Sequence, residues 1–321
     1  MSRLSSVDLR RKVYSRIRSM IPVERVKVYS IGMLEGKSPL DLHPRQRGSV
    51  LSAKHVTDVK AKYVADPFWI RDCGKFYMFF EVWNLSSDKG EIGLAMSDDG
   101  LHWLYCRIVL REPFHLSYPY VFRWENAYYM IPESGAANSV RLYKANPFPS
   151  TWSYVATLLH HPYVDTSVYY CSGRWWLFAA TKSELYLYHA SELAGPWTKH
   201  PKNPIVTTAH ASRPAGRIFA HGDRVFRVAQ DCESHYGLNV RIFQISILNE
   251  ADYEETEICE SPLLEGSGFG WNGRGMHHMD AQPLENGTWL ASVDGWTLVP
   301  AIKGRPRCSI PERASMSGAR E

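Results

Sequence analysis

The stretch ADPFWIRDCGKFYMFFE, residues 65–81, decides the fold. Two β-rich runs, each of aromatic and branched residues, flank the turn Cys73-Gly74, so the segment reads as an antiparallel hairpin. Comparable second strands occur at Ala127–Ile131, Arg174–Ala179, Arg224–Ala229 and Thr288–Val293, each behind a turn with Gly or Asn. The first strands open at Ala65-Asp66-Pro67, Tyr118-Pro119, Val164-Asp165, Arg213-Pro214 and Met279-Asp280. Five such units, the first four spaced close to 50 residues and the fifth 66 beyond the fourth, read as the blades of a propeller. An aromatic residue follows the third strand of the first four units: Trp103, Trp152, Trp197 and Tyr253. These positions suit packing between blades.

The fifth unit runs short near Trp296, and the strand-like Val26–Ile31 can complete it and close the ring. The expected architecture is all-β: one five-bladed β-propeller over residues 26–300, with a basic, helical or irregular segment over 1–25 and a basic tail over 301–321. Of 321 residues, 45% are hydrophobic and 13% aromatic, which excludes a globally disordered chain. The formal charge of +4 divides unevenly: residues 1–20 carry +5, residues 301–321 carry +3, and the 280 between them carry −4. A nucleic-acid partner is therefore not expected, because only the ends are basic.

Leu9, Val13, Ile17 and Met20 share one helical face, with arginines on the others. Residues 5–21 could thus rest on an anionic membrane surface. The six cysteines lie at least 27 residues apart without a CxxC pair, and no apolar run is long enough to span a bilayer. With no secretory signal evident, a cytoplasmic location is expected.

In a propeller the start of each first strand and the end of each second strand meet at one face. The starts carry Asp66, Tyr118, Asp165, Arg213 and Asp280; the ends carry Glu81, Glu133, Lys182, Asp231 and Asp294. Seven of these ten are carboxylates, which repel one another unless they bind something. Paired carboxylates serve glycosidic-bond chemistry, and Trp69, Trp83, Tyr118, Tyr120 and Tyr236 could stack on sugar rings. The alternative is that the acids cap strands and pair with Arg213 or Arg217.

His277 precedes His278 and Asp280, of which the last two share a strand face. That pair could hold Ca2+ through water, or contact sugar; sugar contact is the preferred reading, with no cofactor expected. The glycines from 266 to 275 lack a strand–GxGxxG–helix setting, so this is no phosphate loop, though it could be a lid.

ADPFWIRDCGKFYMFFE resembles the opening blade of glycoside hydrolase family 43 and its five-bladed relatives, and SELAGPWTKHPKNPIV (191–206) resembles a blade-closing segment. A closer resemblance, over about residues 26–297, is to the N-terminal domain of plant glucosamine inositolphosphorylceramide transferase. It runs through HLSYPYVF, YYMIPES, VDTSVYY, SRPAGRIF, VFRVAQDCESHYG and WNGRGMHHMD, in that order. The transferase's separate nucleotide-sugar-dependent domain has no counterpart in these 321 residues.

The family 43 resemblance implies a base at Asp66 and a supporting acid at Asp165. Its general-acid glutamate is expected at the start of the fourth blade, where Arg213 stands instead. Glu133 is the best substitute acid and Glu81 the next. Glu81, Tyr118, Arg213, Asp231, Tyr236, His278 and Asp280 are the expected substrate contacts. The implied function is transfer or hydrolysis at a glycosidic bond, on a glycan or activated sugar, in glycan or glycolipid biosynthesis. The alternative is a non-catalytic glycan-binding propeller that works with a separate glycosyltransferase.

Overall fold

The structure is a computed structural model and describes residues 23–302. The basic segments expected over 1–25 and 301–321 lie outside the described residues, apart from their inner edges. The main compact unit, Val28–Thr297, is a five-bladed propeller. A second unit takes in the two ends of the chain, up to Lys27 and from Leu298. Its described residues are the first of strand Val23–Ser38 and the last of strand Trp289–Ile302.

Blade one consists of Ala61–Asp72, Lys75–Asn84, Lys89–Ser97 and Leu104–Leu110, paired antiparallel in chain order. Blade two, Ser117–Trp124 to Trp152–Leu159, and blade three, Val164–Cys171 to Thr198–Lys199, repeat the pattern. In blade four the inner strand is broken into Arg213–Pro214 and Phe219–His221, both paired with Arg224–Gln230. Blade five begins with Gly275–Pro283 and Trp289–Ile302 and is completed by Val23–Ser38 and Asp41–Pro44 from the other end of the chain. This is the ring closure that the strand-like segment at Val26–Ile31 suggests.

The local chemistry explains the hairpins. Asp72 pairs with Lys75 across Cys73 (φ 48°) and Gly74 (φ 80°), a two-residue turn with both central residues left-handed. Such a turn matches the twist of its strands and fixes the register that alternates core and channel residues. Between blades the core is aromatic and aliphatic: Phe68, Phe79, Tyr118 and Tyr143 are buried in one cluster, Ile31, Trp69, Met78 and Phe80 in another. Trp103 and Trp152 are buried and donate their indole N–H to Gly100 and Pro149 carbonyls, as the packing role requires. Trp69 and Tyr120, expected as sugar platforms, are core residues at 2% and 3% exposure and stack on nothing outside.

One irregularity recurs at the inner strands. The register slips between Ala65 and Phe68, Ser117 and Tyr120, and Val164 and Ser167. At each slip sits a left-handed residue: Asp66 (φ 53°), Tyr118 (φ 45°) and Asp165 (φ 47°). Left-handed backbone costs little for Asp but is a true outlier for a bulky Tyr, and such strain concentrates at functional sites. In blade four the matching irregularity is Gly216, where a Cβ would fall 1.8 Å from the Met279 carbonyl oxygen.

Candidate functional site

The registers place one rim of the channel. Ala65 pairs with Glu81, Ser117 with Glu133, Arg213 with Gln230 and His278 with Asp294. The bulges then turn Asp66 and Asp165 toward the same rim, and the converging acids are met by a network of partners.

Asp294 joins blade five to blade one. Its Oδ1 lies 2.6 Å from His277 Nδ1, and its Oδ2 accepts the Asp66 backbone N–H at 2.9 Å. His277 Nε2 lies 3.6 Å from Asp66 Oδ1, so the imidazole sits between two carboxylates. Asp66 Oδ2 also accepts the Tyr118 backbone N–H at 3.3 Å. On the far side, Asp165 is paired with Arg213 and accepts Gln230 Nε2 at 2.7 Å. Arg213 extends a second nitrogen to within 3.6 Å of Glu133 Oε2. The Tyr236 ring covers that guanidinium at 4.9 Å and meets His277 edge-on. Glu81 accepts the Tyr63 hydroxyl at 3.4 Å, with His115 at 3.9 Å.

Burial drives the protonation of this rim. Asp66 is raised to about 7, first by desolvation and then by Asp294 and Asp165, against the opposing charge of His277. Glu81 is held well above the usual carboxylate range by desolvation and by Asp66 and Glu133. Glu133 is likewise raised by desolvation and by Asp165, against Arg213. Asp294 is lowered, because the charge and hydrogen bond of His277 outweigh its desolvation. The rim therefore sets carboxyls pushed toward their protonated form beside ion-paired carboxylates, an arrangement suited to moving protons in both directions.

The other expected contacts lie elsewhere. Asp280 is fully buried down the channel, where Arg217 Nε donates to it at 2.7 Å and the Trp69 backbone N–H at 2.8 Å. Its position as a strand start is corrected: Met279 pairs with Val293 and Asp280 with Ser292, well inside the strand. Asp231 turns to Arg241 at 2.8 Å and to the Glu233 backbone. His278 is buried against Phe68 and Tyr118, its Nε2 3.0 Å from the Pro67 carbonyl. Tyr118 is buried, its hydroxyl between Ser167 and the Gly216 carbonyl, and only its backbone reaches Asp66. Lys182 is exposed.

Asp66, Glu81, Glu133, Asp165, Arg213 and Tyr236 thus come together, and His277 and Asp294 join them. Among the described residues, Asp66, His277 and Asp294 bring potential ligand atoms within 4.8 Å of one another, and are the set that could hold a metal ion. His278 and Asp280 are engaged separately, by Pro67 and by Arg217. Strand alternation hid His277, because the register slips between Gly275 and His278. Tyr29, whose ring lies 4.8 Å from His277, comes from the closing strand and leaves no local signal.

A sequence model of the family described as glucosamine inositolphosphorylceramide transferase 1, N-terminal, matches residues 24–296. The chain belongs to that family. Glucosamine inositolphosphorylceramide transferase 1 of Oryza sativa subsp. japonica is 35% identical over 295 residues, covering 83% of this chain and 40% of the relative. The Arabidopsis thaliana protein of the same name is 34% identical over 297 residues, covering 83% and 39%. The chain therefore spans about two fifths of the length of these curated relatives.

Among solved structures, the catalytic domain of Coprinopsis cinerea GH62 α-L-arabinofuranosidase is similar with a TM-score of 0.56 at 11% identity, over 74% of this chain and 92% of that one. An exo-β-1,3-galactanase from Clostridium thermocellum gives 0.54 at 13% identity, over 70% and 56%. At such identities these likenesses show the fold of this N-terminal family.

Proposed function

We propose that this member of the family is a carbohydrate-active protein that handles a sugar at the rim of the channel and acts at a glycosidic bond. The observation that supports it most is that Arg213 joins Asp165 to Glu133, whose carboxyl is pushed well up by burial, on the rim that also carries Asp66. In this reading Glu133 protonates the departing glycosidic oxygen. Asp66 takes the proton from the attacking hydroxyl, which is water in hydrolysis or a sugar or lipid hydroxyl in transfer. Asp165 and Arg213 orient Glu133, while His277 and Asp294 orient Asp66. The name that the family and its relatives carry, glucosamine inositolphosphorylceramide transferase, agrees with a glycolipid setting.

The test is turnover. Substrates would be a panel of nitrophenyl glycosides for hydrolysis and nucleotide sugars with glycolipid acceptors for transfer. Asp66→Asn and Glu133→Gln should each lower turnover by at least about a hundredfold, the scale of general acid–base catalysis. Full activity in both variants would show the roles to be wrong.

One observation favours a second reading, a glycan-binding propeller without catalysis. Arg213 stands where a hydrolase of this fold is expected to carry its acid, and it is locked onto Asp165. Calorimetry separates the two, since a glycan bound and recovered intact would favour binding alone.

A further inference from the structure

A cleft of about 870 Å³ opens between the closing strands of blade five and the segment from Leu263 to Asn272. Its size falls within the roughly 300–1,000 Å³ of small-molecule sites. Its floor is apolar, formed by Met33, Leu34, Leu264 and Met276, all buried; Leu34, Leu264 and Met276 continue the core between blades four and five, and Met33 that between blades five and one. A sugar on this floor would leave hydroxyls without partners, whereas an alkyl chain asks for none. Two methionines give the floor the adaptability that a flexible chain needs.

The wall is built rather than loose. Trp271 and Asn272 seat against Gly32 and Gly295 on neighbouring strands, where a Cβ would lie 2.6 Å from the Trp271 ring and 2.4 Å from Asn272 Cβ. Phe269 stands at the lip, 79% exposed, an unfavourable place for a phenyl ring in water.

Charge marks the nature of the occupant's head. Arg45 and Arg47 line the cleft. Arg45 is fixed by Glu35 at 2.8 Å and the Asp99 carbonyl at 3.0 Å. Arg47 is exposed and makes no ion pair among the described residues, though Glu265 also lines the cleft. A guanidinium so placed suits a phosphate, by paired charge-assisted hydrogen bonds. Free phosphate would leave the apolar floor uncovered. We propose that this cleft binds an anionic lipid, with an alkyl chain on the floor and its phosphate at Arg47. The inference stands on the cleft alone and does not depend on chemistry at the rim.

The test is displacement of a dansyl-labelled fatty acid from the full chain. The label should bind saturably, one per chain. Lysophosphatidic acid should displace it about tenfold better than a monoacylglycerol of equal length, the worth of one charge-assisted contact. Inorganic phosphate should not displace it. Arg47→Glu, on the surface, should abolish the preference, and Leu42→Trp should weaken the label itself, with melting curves confirming that both fold. The proposal is overturned by the absence of saturable binding, by equal displacement by both lipids or by phosphate alone. A concentration-dependent dimer that excludes the label would overturn it too, since a second copy would then cover the cleft.

Discussion

Asp294 holds His277 Nδ1 at 2.6 Å with one oxygen and the backbone N–H of Asp66 at 2.9 Å with the other. A single buried carboxylate thus fixes both an imidazole of its own blade and the αL turn that aims Asp66. Asp294→Ala should leave His277 buried with its closer carboxylate partner gone and only Asp66, at 3.6 Å, beside it. The expected loss is about 3–5 kcal/mol in urea unfolding, the cost of breaking a buried pair. Asp294→Asn, which keeps an acceptor, should lose less. A loss within experimental error for Asp294→Ala would mean that the clasp contributes nothing.

The raised acids make a statement about stability and pH. Glu81 and Glu133 have folded pKa values well above their ordinary 4.5, so the folded state holds protons that the unfolded state releases. Their contribution is full below about pH 4.5 and is lost as pH rises through the raised values, at up to about 1.4 kcal/mol per pH unit for each group. Asp294, which is lowered, works oppositely: its contribution is present above its unfolded pKa and is lost as pH falls through the folded one. Urea unfolding across pH should therefore show a decline on the alkaline side, and Glu81→Gln should flatten it.

Catalysis by Asp66 and Glu133 carries its own signature in pH. The base must be ionised, and Asp66 is raised to about 7, so activity should rise through neutral pH and fall only once Glu133 loses its proton. Arg213 opposes the rise in Glu133, so Arg213→Gln should move the alkaline limb upward. Initial rates from pH 5 to 10 in both proteins would show it.

Gly216 marks where blade four meets blade five. Its Cβ would fall 1.8 Å from the Met279 carbonyl oxygen, and its own carbonyl accepts from Tyr118 and Ser167. Gly216→Ala should cost several kcal/mol or prevent folding, at the severe end of single substitutions. Tyr118→Phe, which leaves Ser167 on the same carbonyl, should cost about 1 kcal/mol.

The blades were legible because turn residues and strand periodicity are local: Cys73-Gly74 names its own hairpin. Ring closure by Val23–Ser38 was legible because the fifth unit lacked strands. The rim was legible only in part. Asp66, Glu133 and Asp165 follow from where strands start and end, but Asp280 was misplaced because the slip between Gly275 and His278 shifts the fifth blade's frame. Trp69, Tyr118 and Tyr120 looked like sugar platforms because sequence shows an aromatic residue, not which side of the blade buries it. Tyr29 and Tyr63, 5.5 Å apart beside the rim, meet only when the ring closes.

The central claim is that a sugar occupies the rim between Asp66 and Glu133. The most direct measurement is a crystal structure of the protein soaked with an oligosaccharide that calorimetry shows to bind. The account predicts a glycosidic oxygen within hydrogen-bonding reach of Glu133, a neighbouring hydroxyl or water at Asp66, and the Tyr236 ring against the sugar. A sugar bound on the outer edges of the blades, with the rim unchanged, would contradict it.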